Sequence, residues 1–403
     1  METRKKSVMF VFGTRPEAIK LAPVIKKFEE EGSLDVHVCV TAQHREMMDQ
    51  FLAFFDITPD SDLDLMTPNQ SLAALTAKVI SGAAEVYQRF APDMVFVQGD
   101  TSSAFAAAMA ASLNKIPVAH VEAGLRSHQR HSPFPEETNR VLIGHIADLH
   151  FAHTDAAATN LKNEGVTKEV HVVGNTVVDA LKLGLRTIDM TGDEASPAAL
   201  AGIDLGKNIA LITLHRRESI GAPMLQTCLA IRQIAEAHPD VELVYPVHLN
   251  PRVREVVYES LSGLANVHLL DPLAYPDFLL ILSKASLVIT DSGGVVEEAS
   301  TLGIPILVAR EFTERAEAVT AGLAKMVGSD TDSIVRGARE ILQGAAQQRT
   351  ESMNNVFGDG NASERIVAIT KCFLKVPPAT NRDRGILFME PIAQGEPDFA
   401  CVK

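Results

Sequence analysis

Short runs that are apolar at nearly every position recur through the first half of the chain, at residues 8–12, 36–40, 94–97, 117–121 and 170–173. Longer stretches with helical spacing separate them, including residues 71–90 and 101–113. Strands this short and continuously apolar suit a sheet covered on both faces, and helices between successive strands imply parallel crossovers. The pattern predicts a doubly wound α/β domain. Turn and breaker residues then gather between residues 185 and 208, at Thr191-Gly192-Asp193, Ser196-Pro197, Gly202 and Gly206, and predict a linker. The alternation resumes at 209–214, 222–237, 241–245, 252–261, 267–270, 276–283, 287–289, 295–302 and 306–308, which predicts a second α/β domain.

These patterns place the first domain at residues 1–185, completed by a returning helix at 361–376, and the second at 207–358. A tail at 377–403, opening with Pro377-Pro378, lacks periodicity. Open α/β sheets bind ligands at the carboxyl ends of their strands, so two such Rossmann-like domains are expected to carry the active site in the interdomain cleft.

Composition narrows the classes of partner. The 403 residues carry 37 Lys plus Arg against 51 Asp plus Glu, a net charge of −14, which opposes nucleic acid and anionic lipid surfaces. Any anionic ligand must be held locally. Cys39, Cys228, Cys372 and Cys401 are scattered without a Cys-x-x-Cys pair, and no His-Glu-x-x-His occurs, so neither a zinc site nor a disulfide framework is expected. The basic start Arg4-Lys5-Lys6 precedes an apolar run too short for a signal peptide, and no run approaches about 20 apolar residues. A cytoplasmic protein without a membrane partner is expected.

Candidate chemistry lies just after the strands. Gly13-Thr14-Arg15-Pro16-Glu17-Ala18-Ile19-Lys20 has capping-box spacing, with two cations beside a positive helix end; it fits an anion site and equally an ordinary cap. Asp291-Ser292-Gly293-Gly294 joins a strand to a helix and offers backbone N–H groups with no side chains in the way, a stronger anion signal. Glu298, about one turn on, suits ribose hydroxyls. Asp100 and Glu122 end apolar runs and Glu136 starts a helical pattern, so all three are candidate proton carriers; caps and first-turn acids would look the same. His215 leaves another strand together with Arg216 and Arg217 and is a further catalytic candidate, suited to donating to a phosphate or assisting proton transfer; a solvated loop cluster would look the same.

Taken in order, GTRPEAIK, TAQHREM, VEAGLRS, PFPEETNR, HRRES, YPVHLNP, TDSGG with its following EEA, and TERAEAVTAG resemble the bacterial non-hydrolysing UDP-N-acetylglucosamine 2-epimerase family across residues 8–375. The resemblance implies a fold of the glycosyltransferase-B type. It also implies interconversion of UDP-N-acetylglucosamine and UDP-N-acetylmannosamine without a redox cofactor or obligatory metal, through elimination of UDP to 2-acetamidoglucal and its re-addition. Such enzymes supply N-acetylmannosamine units for cell-surface polysaccharide, and a homodimer is implied.

By motif, Asp100, Glu122 and Glu136 match the family's catalytic carboxylates. Arg15, His215 and the Ser292-Gly293-Gly294 amides match pyrophosphate contacts, Glu298 the ribose ligand and Phe278 the uracil contact. Lys20, Arg140 and Arg315 match further cations of the site. Gln43 and His44 match a segment through which some relatives bind an activating second UDP-N-acetylglucosamine, whereas Asn69 stands where arginine is expected in such relatives. Leu214 and Ala316 also depart from the expected small residue and proline. The competing expectations are a hydrolysing epimerase that releases N-acetylmannosamine and UDP, a glycosyltransferase on the same fold, and a non-catalytic UDP-sugar sensor.

Overall fold

Val8, Met9, Phe10, Val11 and Phe12 are all fully buried, as a strand covered on both faces requires. The computed structural model describes residues 4–41, 45–65, 70–191, 198–215, 221–344 and 356–376. The chain divides into two units, Met1–Ala180 with Gly358–Lys403, and Leu181–Phe357.

In the first unit the order is β1 (Ser7–Phe12), α1 (Arg15–Glu31), β2 (Asp35–Val40), α2 (Arg45–Phe54), β3 (Ser61–Asp62), α3 (Leu72–Phe90), β4 (Met94–Gln98) and α4 (Ser102–Leu113). It continues with β5 (Val118–Ala123), α5 (Glu136–Ile146), β6 (Leu149–Ala152), α6 (Asp155–Asn163), β7 (Val170–Val172) and the first residues of α7 (Thr176–Thr191), whose chain passes into the second unit after Ala180. Among the described residues the strands form one parallel sheet in the order β3-β2-β1-β4-β5-β6-β7. The order reverses between β1 and β4, so their connections leave in opposite directions and open a crevice at their carboxyl ends.

Aromatic rings pack together on these central strands. Phe10 of β1 stacks on Phe96 of β4 at 4.7 Å, Phe28 of α1 meets Phe96 edge-on at 5.5 Å, and Phe151 of β6 lies 6.3 Å from Phe96. Each buried phenylalanine contributes about 2–3 kcal/mol. Helix α4 is lined by small residues, with Ala104, Ala106, Ala107, Ala108, Ala110 and Ala111 all inaccessible, so it packs closely against both α3 and α5.

The second unit runs β8 (Asn208–Thr213), α8 (Ala222–Ala237), β9 (Val241–Pro246), α9 (Pro251–Leu261), β10 (Val267–Leu270), α10 (Tyr275–Lys284) and β11 (Ala285–Thr290). It closes with α11 (Gly293–Thr301), β12 (Ile306–Val308), α12 (Ala316–Thr320), β13 (Ala324–Met326) and α13 (Thr331–Gly344). Its parallel sheet, β10-β9-β8-β11-β12-β13, reverses between β8 and β11. Both units are therefore Rossmann-like, in agreement with the α/β reading of the sequence.

Helix α14 (Ala362–Phe373) packs on α1, where buried Lys371 pairs with Glu31 and the Lys6 ammonium bonds the Leu374 carbonyl. The segment read as a linker is corrected in part. Helix α7 continues through Thr191, because no glycine or proline interrupts it between Leu185 and Gly192. Residues 192–197 and the tail 377–403 lie outside the described residues. Among the described residues no helix is long and apolar enough to cross a membrane, and no group of three or more His, Cys, Asp or Glu side chains is arranged for a metal.

Candidate functional site

In the first unit the loop after β1 and the loop after β4 flank the crevice. A Cβ at Gly13 would lie 2.2 Å from Thr41 Oγ1 and 2.7 Å from Ser103 Oγ, so the close turn requires glycine. Thr14 caps α1 and Glu17 is its third residue, as the spacing predicts. Glu17 Oε2 accepts the Gly13 N–H at 3.1 Å, the Thr14 N–H at 2.8 Å and the Thr14 hydroxyl at 2.7 Å. Of the two readings the sequence leaves open for this turn, an anion site and an ordinary cap, the cap is formed, and these two N–H groups serve the protein's own carboxylate. Burial raises the Glu17 carboxyl above its ordinary value despite bonds from Thr101, Thr14 and Gly13. Arg15, half-buried, is the cation beside this helix end.

Glu122 owes its position to an irregularity in β5. Val121 pairs with Phe151 and Ala123 with Ala152, so Glu122 is the extra residue of a bulge, with a left-handed φ of 64°. A glutamate there is strained where glycine would not be, and the bulge re-aims its side chain. Its two oxygens accept from the Lys20 ammonium and the Gln98 amide, and Glu122 and Lys20 are both buried. Gly99 takes the turn after β4 with a left-handed φ of 68°.

Asp100 follows Gly99. Its Oδ2 accepts from Arg140 Nε at 2.7 Å, and its carbonyl accepts from the Asn139 amide at 2.8 Å. Arg140 Nη1 also reaches Glu137 at 2.9 Å, and Glu137 holds the N–H groups of Ser127 and His128 at 2.9 Å each. Burial alone would raise Glu137; the Ser127 N–H, the Arg140 guanidinium and the His128 N–H outweigh it and hold the carboxyl below its ordinary value. Glu136 is the first residue of α5, half-buried, one turn before Arg140.

Beneath this edge His120 is 1% exposed and its Nε2 lies 2.7 Å from the Gly99 carbonyl. Burial pushes its pKa down to about 3, so the ring is neutral and donates through Nε2.

In the second unit the ends of β8 and β11 are tied together. The Thr213 hydroxyl donates to Thr290 Oγ1 at 2.6 Å, and the His215 N–H lies 3.0–3.1 Å from both oxygens of buried Asp291. This leaves the His215 side chain exposed, 6.0 Å from the His248 ring. Burial, then His215, hold His248 below its ordinary pKa.

Helix α11 starts at Gly293, and the Ser292 side chain does not cap it. Its first N–H groups lack intrahelical partners, which leaves an anion-binding end. A Cβ on Gly293 would lie 2.9 Å from Arg315 Cζ, so the guanidinium lies against this turn. Arg315 is held there by Glu297 and Glu314, each at 2.9 Å. A Cβ on Gly294 would meet nothing within 4 Å. Buried Glu298 accepts from the Tyr275 hydroxyl at 3.1 Å, and Phe278 lies one turn along α10 from Tyr275, half-buried.

The structure thus gathers Lys20 with Glu122 and Arg140 with Asp100 in one unit, and Gly293 with Arg315 in the other. Gln43, His44, Asn69, Arg216 and Arg217 lie outside the described residues. Sequence reasoning gave Glu17 only a capping role and assigned none to Gln98, His120, Glu137, Asp291, Tyr275 and Glu297. Glu17 and Asp291 lay inside motifs already singled out, but their burial has no sequence signature.

Comparisons with known proteins show the family. The family model described as UDP-N-acetylglucosamine 2-epimerase matches residues 26–371. UDP-N-acetylglucosamine 2-epimerase of Escherichia coli O157:H7 is 45% identical over 369 residues, covering 90% of this chain and 98% of that protein. The crystal structure of UDP-GlcNAc 2-epimerase from Neisseria meningitidis bound to UDP-GlcNAc aligns with a TM-score of 0.86 at 43% identity, covering 92% and 100% of the two chains. The glycosyltransferase SnogD from Streptomyces nogalater, at 14% identity and a TM-score of 0.51 over 91% and 99% of the chains, shares the fold alone. The chain belongs to the UDP-N-acetylglucosamine 2-epimerase family.

Proposed function

We propose that the protein interconverts UDP-N-acetylglucosamine and UDP-N-acetylmannosamine without releasing free sugar. Carbon 2 has no neighbouring carbonyl, so removing its proton alone would leave an unstabilised carbanion. Elimination avoids this. A carboxylate takes the carbon 2 proton, those electrons form the carbon 1–carbon 2 double bond, and the anomeric C–O bond breaks with its pair going to the β-phosphate oxygen of UDP. Re-addition of a β-phosphate oxygen to carbon 1, with a proton delivered to the opposite face of carbon 2, gives the epimer.

Asp100, Glu122 and Glu136 are the proton carriers in this scheme. Charge building on the departing UDP falls to the α11 N–H groups of Gly293 and Gly294, with Ser292, Arg315, His215 and Arg15 as further pyrophosphate contacts. Glu298 accepts from the ribose hydroxyls and Phe278 packs on uracil. Lys20 and Arg140 offset the negative charge of acids brought close to an anionic substrate.

The observation that supports the reading is Asp100 after β4, at the first unit's switch point, and Glu122 in the neighbouring β5, each beside a buried cation, together with an uncapped Gly-Gly helix end at the second unit's switch point. A cytoplasmic homodimer serving cell-surface polysaccharide synthesis completes the proposal. The test follows UDP-N-acetylglucosamine in deuterium oxide by proton NMR. UDP-N-acetylmannosamine deuterated at carbon 2 is expected; free N-acetylmannosamine plus UDP selects the hydrolysing reaction, and no conversion without an added acceptor selects a transferase.

A further inference from the structure

Glu17 touches no solvent to speak of, with 1% exposure, so it does not meet a substrate directly. Its second oxygen nevertheless leaves its own helix. Glu17 Oε1 accepts the Thr101 hydroxyl at 2.6 Å, across a separation of 84 residues. Thr101 is the N-cap of α4, where the same Oγ1 accepts the Ala104 N–H at 2.9 Å, and it directly follows Asp100. One carboxylate thereby joins the start of α1 to the start of α4. Lys20, one turn on from Glu17, makes the parallel connection from α1 to Glu122. A single face of α1 therefore reaches both acid-bearing turns.

We infer that Glu17 is a positioning residue for the proposed reaction, holding the Asp100 turn in register with α1 through the Thr101 hydroxyl. The bond from Asn139 to the Asp100 carbonyl and the bond from Arg140 to its carboxylate fix the turn from the α5 side; Glu17 fixes it from the α1 side. Loss of the link lets the carboxylate of Asp100 drift from the carbon it serves while leaving the nucleotide contacts of the second unit intact. The effect belongs in kcat rather than KM.

This inference rests on the epimerase reading, and the experiment separates the two. Initial rates of carbon 2 epimerisation are measured for the wild type, Glu17→Ala, Thr101→Val, Thr101→Ser and the Glu17→Ala/Thr101→Val double variant. A wild type that forms no epimer rejects the proposed function itself. With an active wild type, Glu17→Ala and Thr101→Val are each expected to lower kcat by about thirtyfold with KM within about threefold, the scale of loss from a misplaced reacting group. Thr101→Ser, which keeps the hydroxyl, is expected to stay within about threefold of wild type, and the double variant to be no worse than about threefold below the slower single. Loss of the Thr101 cap alone is independent of Glu17 and would multiply instead.

Unchanged kcat in Glu17→Ala, a rise in KM with kcat unchanged, multiplying effects in the double variant, or failure of Thr101→Ser would each overturn the inference. If Glu17→Ala does not fold, Thr101→Asp decides, because an aspartate keeps the cap on the Ala104 N–H but has no hydrogen to donate to Glu17: a kcat as low as that of Thr101→Val is expected, and a kcat near wild type overturns the inference.

Discussion

Arg140 Nε lies 2.7 Å from Asp100 Oδ2 while Nη1 of the same guanidinium lies 2.9 Å from Glu137. One nearly buried cation, its side chain 6% exposed, thus bridges an acid proposed for chemistry and an acid that holds a loop. Only a planar fork with several donors can do this, and a lysine supplies a single point of charge. Arg140→Met leaves two carboxylates without their cation, and breaking a buried pair from one side typically costs about 3–5 kcal/mol. The partial exposure of Asp100 puts the expected loss near the lower end. Urea unfolding should show it, with Arg140→Lys falling between the two.

Neutral amides in place of the three proposed proton carriers keep shape and remove the function. Asp100→Asn, Glu122→Gln and Glu136→Gln are each expected to slow epimerisation by at least about a hundredfold, within the range for lost acid–base catalysis. Calorimetry should show UDP still bound by all three. Near-normal rates in all three would remove them from the mechanism.

His120 makes stability depend on pH in a definite direction. Its folded pKa, pushed down to about 3 by burial and only partly restored by the bond to Gly99, lies below the ordinary 6.5. The unfolded chain therefore takes up this proton first, so the contribution is present above 6.5 and lost as pH falls toward 3. At about 1.4 kcal/mol per unit, the shift amounts to at most about 5 kcal/mol. His120→Gln should flatten the acid limb of a denaturation profile over this window; an unaltered slope would mean the ring does not carry it.

The sequence read the strands and helices well where periodicity was strong, as at Val267–Leu270, Ile306–Val308 and Ala222–Ala237. It missed β3, which is only Ser61–Asp62 and carries no apolar run. It also missed β6, Leu149–Ala152, where His150 breaks the apolar pattern yet is buried with its Nε2 on the Gly144 carbonyl. At the site, residue types in strand-end turns were legible because parallel sheets bring those turns together. Partnerships were not. Nothing along the chain shows that Glu17 answers to Thr101, or that Glu122 occupies a bulge, since both depend on packing between distant segments.

The contact of Gly293 with Arg315 yields a prediction that separates two adjacent glycines. A methyl on Gly293 would have to displace a guanidinium held at both ends, because its Cβ would lie 2.9 Å from Cζ. Gly293→Ala is therefore expected to weaken UDP binding by about tenfold or more, the scale of losing one charge-assisted contact. A Cβ on Gly294 meets nothing, so Gly294→Ala should leave thermal stability unchanged. Equal UDP affinity in wild type and Gly293→Ala would place the phosphate elsewhere.

The proposed chemistry stands or falls on whether the sugar and nucleotide part company during each turnover. Substrate carrying oxygen-18 in the bridge between carbon 1 and the β-phosphorus tests this directly, with phosphorus NMR following the label during epimerisation. Elimination and re-addition should move label from the bridge into the non-bridging β-phosphate oxygens as the UDP-N-acetylmannosamine forms. Epimer that retains all of its label in the bridge, formed with no 2-acetamidoglucal and UDP detectable in quenched turnovers, would contradict the account.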